Sequence, residues 1–271
     1  MELGTYLELA APATLRWRCG RGTWCLGFRN LLSHVLLSAD VKLCYLEVIM
    51  EISYLGHSAF KIKGKTATVI IDPFDPHFLG LKKSVWEKQP ADIVLISHEN
   101  ADHNYLEGIA NGADAFVGRG PGEYEIRGVR VFGYPSSHGS VNGTKGGKNT
   151  IYLLEIDGLV VVHLGDLSHK LSGEVVEELN TVDILMIPVG GDHTINAETA
   201  TEIVAELEPA VVLPMHFKMA GSSLDIDPVE KFLEAMGEEK ARHEARLKIS
   251  SRSDLPEETE VVVLKCRQST G

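Results

Sequence analysis

Cysteine is scarce in this chain and never closely paired. Cys19, Cys25, Cys44 and Cys266 are the whole set, and no Cys-x-x-Cys occurs. A disulfide framework is therefore not expected, and a reducing, cytoplasmic setting fits. Long apolar runs are missing too: none approaches the roughly 20 residues of a membrane span. There is no Gly-x-Ser-x-Gly elbow, which removes the serine-hydrolase reading. Positive charge is in deficit, with 26 Lys and Arg against 38 Asp and Glu and a net charge of −12. That balance argues against general binding to nucleic-acid backbones, although a local basic patch stays open. Glu2 and Glu8 precede the arginines and no long apolar core follows, so no secretory leader is expected. Low-complexity tracts and short repeats are absent as well.

What is present is ordinary in bulk and unusual in one residue. The 271 residues are 44% hydrophobic and 24% charged, as in a soluble globular protein of one large domain or two small ones. Histidine, however, occurs eleven times, and several histidines sit beside Asp or Gly where an apolar run ends.

Residues 1–49 differ from the rest. They hold Trp17 and Trp24, the arginines 16, 18, 21 and 29, and all the cysteines but Cys266. They read as an atypical extension, loosely packed or disordered, with a small helix over Asn30 to Leu37 as the alternative. The sequence leaves open whether they belong to the native protein. From Met50 to the end, 50–271, the pattern is that of one domain. Strands are expected over 51–55, 59–62, 68–71, 93–96, 115–117, 123–126, 129–134, 150–156, 159–164, 183–189, 210–215, 247–250 and 260–264. Asp157-Gly158 between two β-branched runs marks the clearest hairpin. Helices are expected over 104–110, 175–179, 197–207 with Asn196 as N-cap, and 229–236 with Asp227 as N-cap and Pro228 at the first position. Residues 139–149, with four glycines, read as a flexible loop at a place where loops carry substrate contacts.

The apolar run Ile93 to Ile96 reads as a buried strand. It delivers Ser97-His98-Glu99-Asn100-Ala101-Asp102-His103 to the loop beyond it. Imidazole and carboxylate are the ligands that borderline and hard divalent metals take. Four later strand ends carry the same kind of residue: His138, Asp166, His193 and His216. In layered α/β folds, residues at one end of adjacent strands converge. One such histidine is more often structural. Five strand ends together point to a metal site.

The segment 98–103 resembles the His-x-His-x-Asp-His signature of the metallo-β-lactamase-fold hydrolases. The Gly56-His57-Ser58 turn, the Gly190-Gly191-Asp192-His193-Thr194 segment and Pro214-Met215-His216 resemble the branch that holds predicted metal-dependent hydrolases and the ascorbate-6-phosphate lactonase. The resemblance covers about residues 50–265. It implies an α/β fold, a four-layer αβ/βα sandwich of two mixed sheets with helices outside. It implies one metal site from His98, the Asn100 position and His138, a second from Asp102, His103 and His216, and Asp166 bridging the two. Asp102 would orient or deprotonate water, and His193 or His57 would face the substrate.

One position departs from the signature. Asn100 stands where the second histidine belongs, and a neutral amide oxygen is the weaker zinc ligand. Three outcomes stay open: one firm ion at Asp102, His103, His216 and Asp166; a harder metal, manganese or iron, in place of zinc; or a metal kept for structure after catalysis was lost. The expected activity is hydrolysis of a small ester, lactone or phosphodiester by metal-activated water. The alternatives are a nuclease of the same fold and a non-catalytic metal-binding protein. A small-molecule substrate is expected, with homo-oligomerisation left open.

Overall fold

Runs rich in β-branched and other apolar residues form the longer strands of the described residues. The computed structural model describes residues 17–19, 23–25, 50–81, 89–112, 114–139, 146–237 and 241–266. The chain divides into two units, Met1–Leu46 and Glu47–Gly271. In the first, Trp17–Cys19 (β1) pairs antiparallel with Thr23–Cys25 (β2). The helix expected over Asn30 to Leu37 lies outside the described residues, as do residues 140–145 of the glycine-rich loop.

The second unit begins with β3 (Met50–Gly56), β4 (Ala59–Lys63), β5 (Thr68–Ile71), β6 (Ile93–Ile96) and β7 (Phe116–Arg119). Next come β8 (Gly122–Ile126), β9 (Val129–Ser137), β10 (Lys148–Ile156) and β11 (Leu159–His163). The chain then alternates through α1 (Gly173–Leu179), β12 (Ile184–Pro188), α2 (Ala197–Leu207), β13 (Val211–Met215) and α3 (Val229–Ala235). It closes with β14 (Arg242–Glu244), β15 (Leu247–Ile249) and β16 (Glu260–Leu264).

Two mixed sheets result. One is six-stranded, ordered β15-β3-β4-β5-β6-β7, and the other eight-stranded, ordered β14-β16-β13-β12-β11-β10-β9-β8. Hairpins give the antiparallel pairs within the sheets, save β3 with β15, which joins the two ends of the unit. The crossovers through α1 and α2 make β11, β12 and β13 parallel neighbours. Accordingly β6, β12 and β13 are buried along their whole length, while β8, at a sheet edge, alternates half-buried and exposed residues. The main core lies between the sheets. Ile52, Phe60, Ile62, Val69 and Leu95 pack from one side, and Val131, Leu154, Val161, Met186 and Leu213 from the other. The helices cover the outer face of the larger sheet through Leu179, Ala200, Ile203, Leu207 and Phe232. On the outer face of the smaller sheet, Ile70, Val94 and Ile96 lie under Phe74, Leu79, Ile109 and Met219. This is the expected αβ/βα sandwich.

Local signals mostly act as their chemistry dictates. Asn196 caps α2 by accepting from the Thr199 N–H at 3.0 Å. Asp157 and Gly158, at φ 53° and 82°, form the left-handed turn of the β10–β11 hairpin. Three details differ from expectation. Residues 104–110 form only a three-residue 3₁₀ turn, Leu106–Gly108, because the Tyr105 and Ala110 amides are taken by the carbonyls of Pro73 and Gln89. Helix α3 begins after an extended Pro228, and Asp227 pairs with Lys231 at 2.6 Å instead of capping. The short parallel strand β14 carries no sequence pattern that announces it.

Candidate metal centre

Every candidate residue follows the carboxyl end of a strand that runs in one direction within its sheet. In the smaller sheet β3, β5 and β6 share a direction and are followed by His57, Asp72 and the His98–His103 loop. In the larger sheet β9, β11, β12 and β13 share one and are followed by His138, Asp166, His193 and His216. His57, Asp72 and His216 hold left-handed backbones at φ 54°, 47° and 51°, a conformation costly for residues with a Cβ.

Six side chains converge. Asp166 Oδ2 lies 3.2 Å from His103 Nε2, 3.5 Å from His216 Nε2 and 3.7 Å from His98 Nε2. Asp102 Oδ2 lies 3.4 Å from His57 Nε2 and 3.9 Å from His103 Nε2. Two triplets, His57 with His103 and His216, and His98 with His103 and Asp166, each bring one ligand atom per residue within 4.8 Å of the others. The His138 ring stands 4.9 Å from that of His98, its Nδ1 donating to the Gly139 carbonyl. Asn100 is exposed, and its carbonyl accepts from the amides of His103 and Asn104. Glu99 points outward and pairs with Arg119 at 2.5 Å. His193 pairs with its neighbour Asp192 at 2.8 Å, while its carbonyl accepts from the Gly139 amide.

The profile of the Beta-lactamase superfamily domain matches residues 51–216. The chain belongs to the metallo-β-lactamase-fold hydrolases. The UPF0173 metal-dependent hydrolase of Pelotomaculum thermopropionicum is 30% identical over 210 residues, which are 67% of this chain and 90% of that protein. Its counterpart in Thermococcus onnurineus is 29% identical, covering 70% of this chain and 93% of the relative. Among solved structures, a candidate Zn-dependent hydrolase of the metallo-β-lactamase superfamily from Thermotoga maritima superposes with a TM-score of 0.62 at 31% identity. It covers 79% of this chain and 98% of its own.

Placed in that superfamily, the cluster can be tested for its fit to a divalent cation. Nε2 of His57, His98 and His103, Nδ1 of His216, and Oδ1 of Asp102 and Asp166 are buried with no hydrogen-bond partner among the described residues. Orphaned buried polar atoms are rare and call for a ligand or ion. Ligand atoms bonded at about 2.1 Å to one ion lie about 3.0 Å apart in an octahedron and about 3.4 Å apart in a tetrahedron. The spacings above are close to those edges, so the residues fit.

The charges are balanced for the same purpose. Burial, with His216 beside it, pushes His57 down to about 4, and burial, with His103 beside it, does the same to His98. Burial also opposes charge on His103 and His216, but the carboxylates outweigh it and raise both, led in each case by Asp166. Burial would raise Asp102 and Asp166 as well, yet the surrounding imidazoles hold both carboxyls well below the usual range. The carboxylates thus draw positive charge onto His103 and His216, while His57 and His98 stay neutral; a divalent cation would supply that positive charge in place of the two protons.

Residues that the sequence pattern did not single out hold this arrangement. Asp72 is fully buried and accepts from Nδ1 of His103 at 2.8 Å. It also accepts from Ser97 Oγ at 2.6 Å, and Ser97 Oγ lies 3.0 Å from Nδ1 of His98. One carboxylate thereby presents Nε2 of both histidines with its lone pair inward. Asn149 accepts the Asp166 amide at 3.0 Å and donates to the Leu164 carbonyl at 2.9 Å. His163 donates from Nε2 to the Ser58 carbonyl at 2.9 Å and accepts the Gly165 amide at 3.1 Å. It ties the turn that bears His57 to the turn that bears Asp166. The only signal for these residues was the one shared with the ligands, a polar residue at an end of an apolar run.

Proposed function

We propose that the chain is a hydrolase of a small ester, lactone or phosphodiester, built around one firmly held divalent ion at Asp102, His103, Asp166 and His216. The observation that supports this reading is the convergence of imidazole nitrogens on the Oδ2 atoms of Asp102 and Asp166 at 3.2 to 3.9 Å, with Nε2 of His57, His98 and His103 buried and unpartnered among the described residues. The two triplets share His103, and one nitrogen lone pair serves one ion, so both cannot be filled through it. His98 and His138 are left for a weaker second ion, with an exposed Asn100 in place of a third imidazole.

A bound divalent ion lowers the pKa of its water to about 7 and polarises a carbonyl or phosphoryl oxygen. The protein's part is orientation and proton handling. Asp166 reaches three imidazoles at once and holds them to a common centre. Asp102, half-buried with Oδ1 unpartnered, is ionised and stands where it can orient the attacking water or take its proton. His193, at the rim beside Gly139, is the candidate to face the substrate. Zinc is the first choice of ion, with manganese or iron as alternatives. A cytoplasmic location belongs to the same proposal and rests on cysteine usage; among the described residues no helix is long and apolar enough to cross a membrane.

Elemental analysis of purified protein before and after chelation, followed by a panel of esters, lactones, bis-nitrophenyl phosphate and single-stranded RNA, tests the reading. About one ion per chain and ion-dependent turnover of a small substrate are expected. Absence of metal in the untreated protein would remove the reading. Metal without turnover would favour the non-catalytic alternative that Asn100 keeps open.

A further inference from the structure

Resting on the metal reading above, we propose that His57 binds the ion directly, as a third imidazole beside His103 and His216, instead of facing the substrate. A substrate-facing residue needs access, and His57 is 1% exposed. Its Nε2 is buried without a hydrogen-bond partner among the described residues. The His57 ring lies 4.3 Å from that of His216 and 5.1 Å from that of His103. One ligand nitrogen from each of the three falls within 4.8 Å of the others.

The backbone is built to hold that aim. A register shift between Tyr54 and Gly56 leads into the turn, and His57 itself sits at φ 54°. Three contacts fix it there. Its carbonyl accepts from Tyr54 Oη at 2.7 Å and from the His216 amide at 2.9 Å, and its own amide lies 2.9 Å from Met219 Sδ. His57 and His216, both left-handed, are therefore joined through the main chain directly behind the centre. A strained residue pinned on every side is the kind of position where strain serves a site.

The competing role is that His57 donates to Asp102 from behind the ion. The separation of 3.4 Å between His57 Nε2 and Asp102 Oδ2 speaks against it. That is long for a charge-assisted hydrogen bond, normally about 2.7–2.9 Å. With Asp102, His103, Asp166 and His216, His57 makes five donors, and the separation falls within the roughly 3.0 to 3.6 Å expected between neighbouring donors of one five-coordinate ion.

His57→Gln separates the two roles, since its amide still donates to Asp102 but is a poor ligand. The full chain, stripped by chelator, is titrated with Co²⁺ and followed by visible absorption. A direct ligand predicts a shifted, weaker spectrum in His57→Gln and an affinity loss beyond the roughly 100-fold upper bound for supporting residues. A wild-type spectrum in His57→Gln, with affinity within that bound, would overturn the proposal and leave the metal reading intact. A wild-type chain that takes up no Co²⁺ would overturn both. Should His57→Gln fail to fold, wild-type protein with ¹⁵N-labelled histidine and ¹¹³Cd gives the answer. Scalar coupling from the ion to the His57 ring supports direct binding, and its absence at His57 while His103 couples overturns it.

Discussion

Asp72 Oδ2 lies 2.8 Å from Nδ1 of His103, and both residues are fully buried. The carboxylate can only accept, so Nδ1 carries a proton and Nε2 is the nitrogen turned to the centre, where an ion would take its lone pair. Through Ser97 the same carboxylate orients His98. Asp72→Asn keeps the shape but removes the charge. Ion affinity is expected to fall about 10- to 100-fold, as for other supporting residues of metal sites. Competition with a chromophoric chelator measures it, and an unchanged affinity would show that Asp72 serves the fold alone.

Asn149 makes a second prediction. Its side-chain amide bridges the Leu164 carbonyl and the Asp166 amide, the groups on either side of Gly165. Gly165 sits at φ 57°, and a Cβ there would lie 2.2 Å from Asn149 Oδ1. Asn149→Asp is nearly isosteric but cannot donate to Leu164, and it adds charge beside Asp166. A loss of about 1–3 kcal/mol is expected in urea unfolding. Gly165→Ala should be destabilising as well, because it meets both the clash and the backbone strain. If both variants unfold like wild type, the clamp on Asp166 is not real.

Much of this was legible in the chain. Strands such as Ile93 to Ile96 and Ile184 to Pro188 announce themselves because burial on both faces demands unbroken apolar runs. Asn196 and Asp157-Gly158 act locally, so their effects are readable locally. The convergence of His98, His103, Asp166 and His216 followed from strand-end position together with the family resemblance. The burial of His57 did not, because a turn residue's exposure is decided by what packs over it. Here that is Met219 and the His216 backbone, some 160 residues away by sequence number. Asp72 was hidden for a similar reason: an Asp-Pro at a strand end looks like a stop signal whether or not histidines surround it. The 104–110 segment has helical composition, yet Pro73 and Gln89 captured its amides.

Cys266 gives a prediction outside the metal centre. Burial pushes its thiol up to about 11, and its Sγ lies 3.3 Å from the Leu55 carbonyl. The raised value means the protonated, unreactive form persists as pH rises, where a free thiol ionises at about 8.5. Iodoacetamide labelling of Cys266, mapped by peptide mass, should stay slow at pH 8 to 9 in the folded chain. It should accelerate only as the solution approaches pH 11, or at once in denaturant. Rapid labelling of native protein at pH 8 would contradict the burial.

Asn100→His tests why one ion is expected instead of two. Position 100 lies on the loop between His98 and His103, exposed, with its main chain fixed by the amides of His103 and Asn104. His98 and His138 already stand with their rings 4.9 Å apart, and Asp166 is within reach of His98 at 3.7 Å. That is two imidazoles and a shared carboxylate, one strong donor short of a closed zinc site, where four are usual. An imidazole from position 100 supplies that donor without disturbing the Asp72 relay behind the loop. Ion content after equilibration with excess zinc and desalting should rise from about one toward two per chain. If it stays at one, the second half of the cluster is limited by something other than the missing ring, and His138, held by Gly139, becomes the residue to examine.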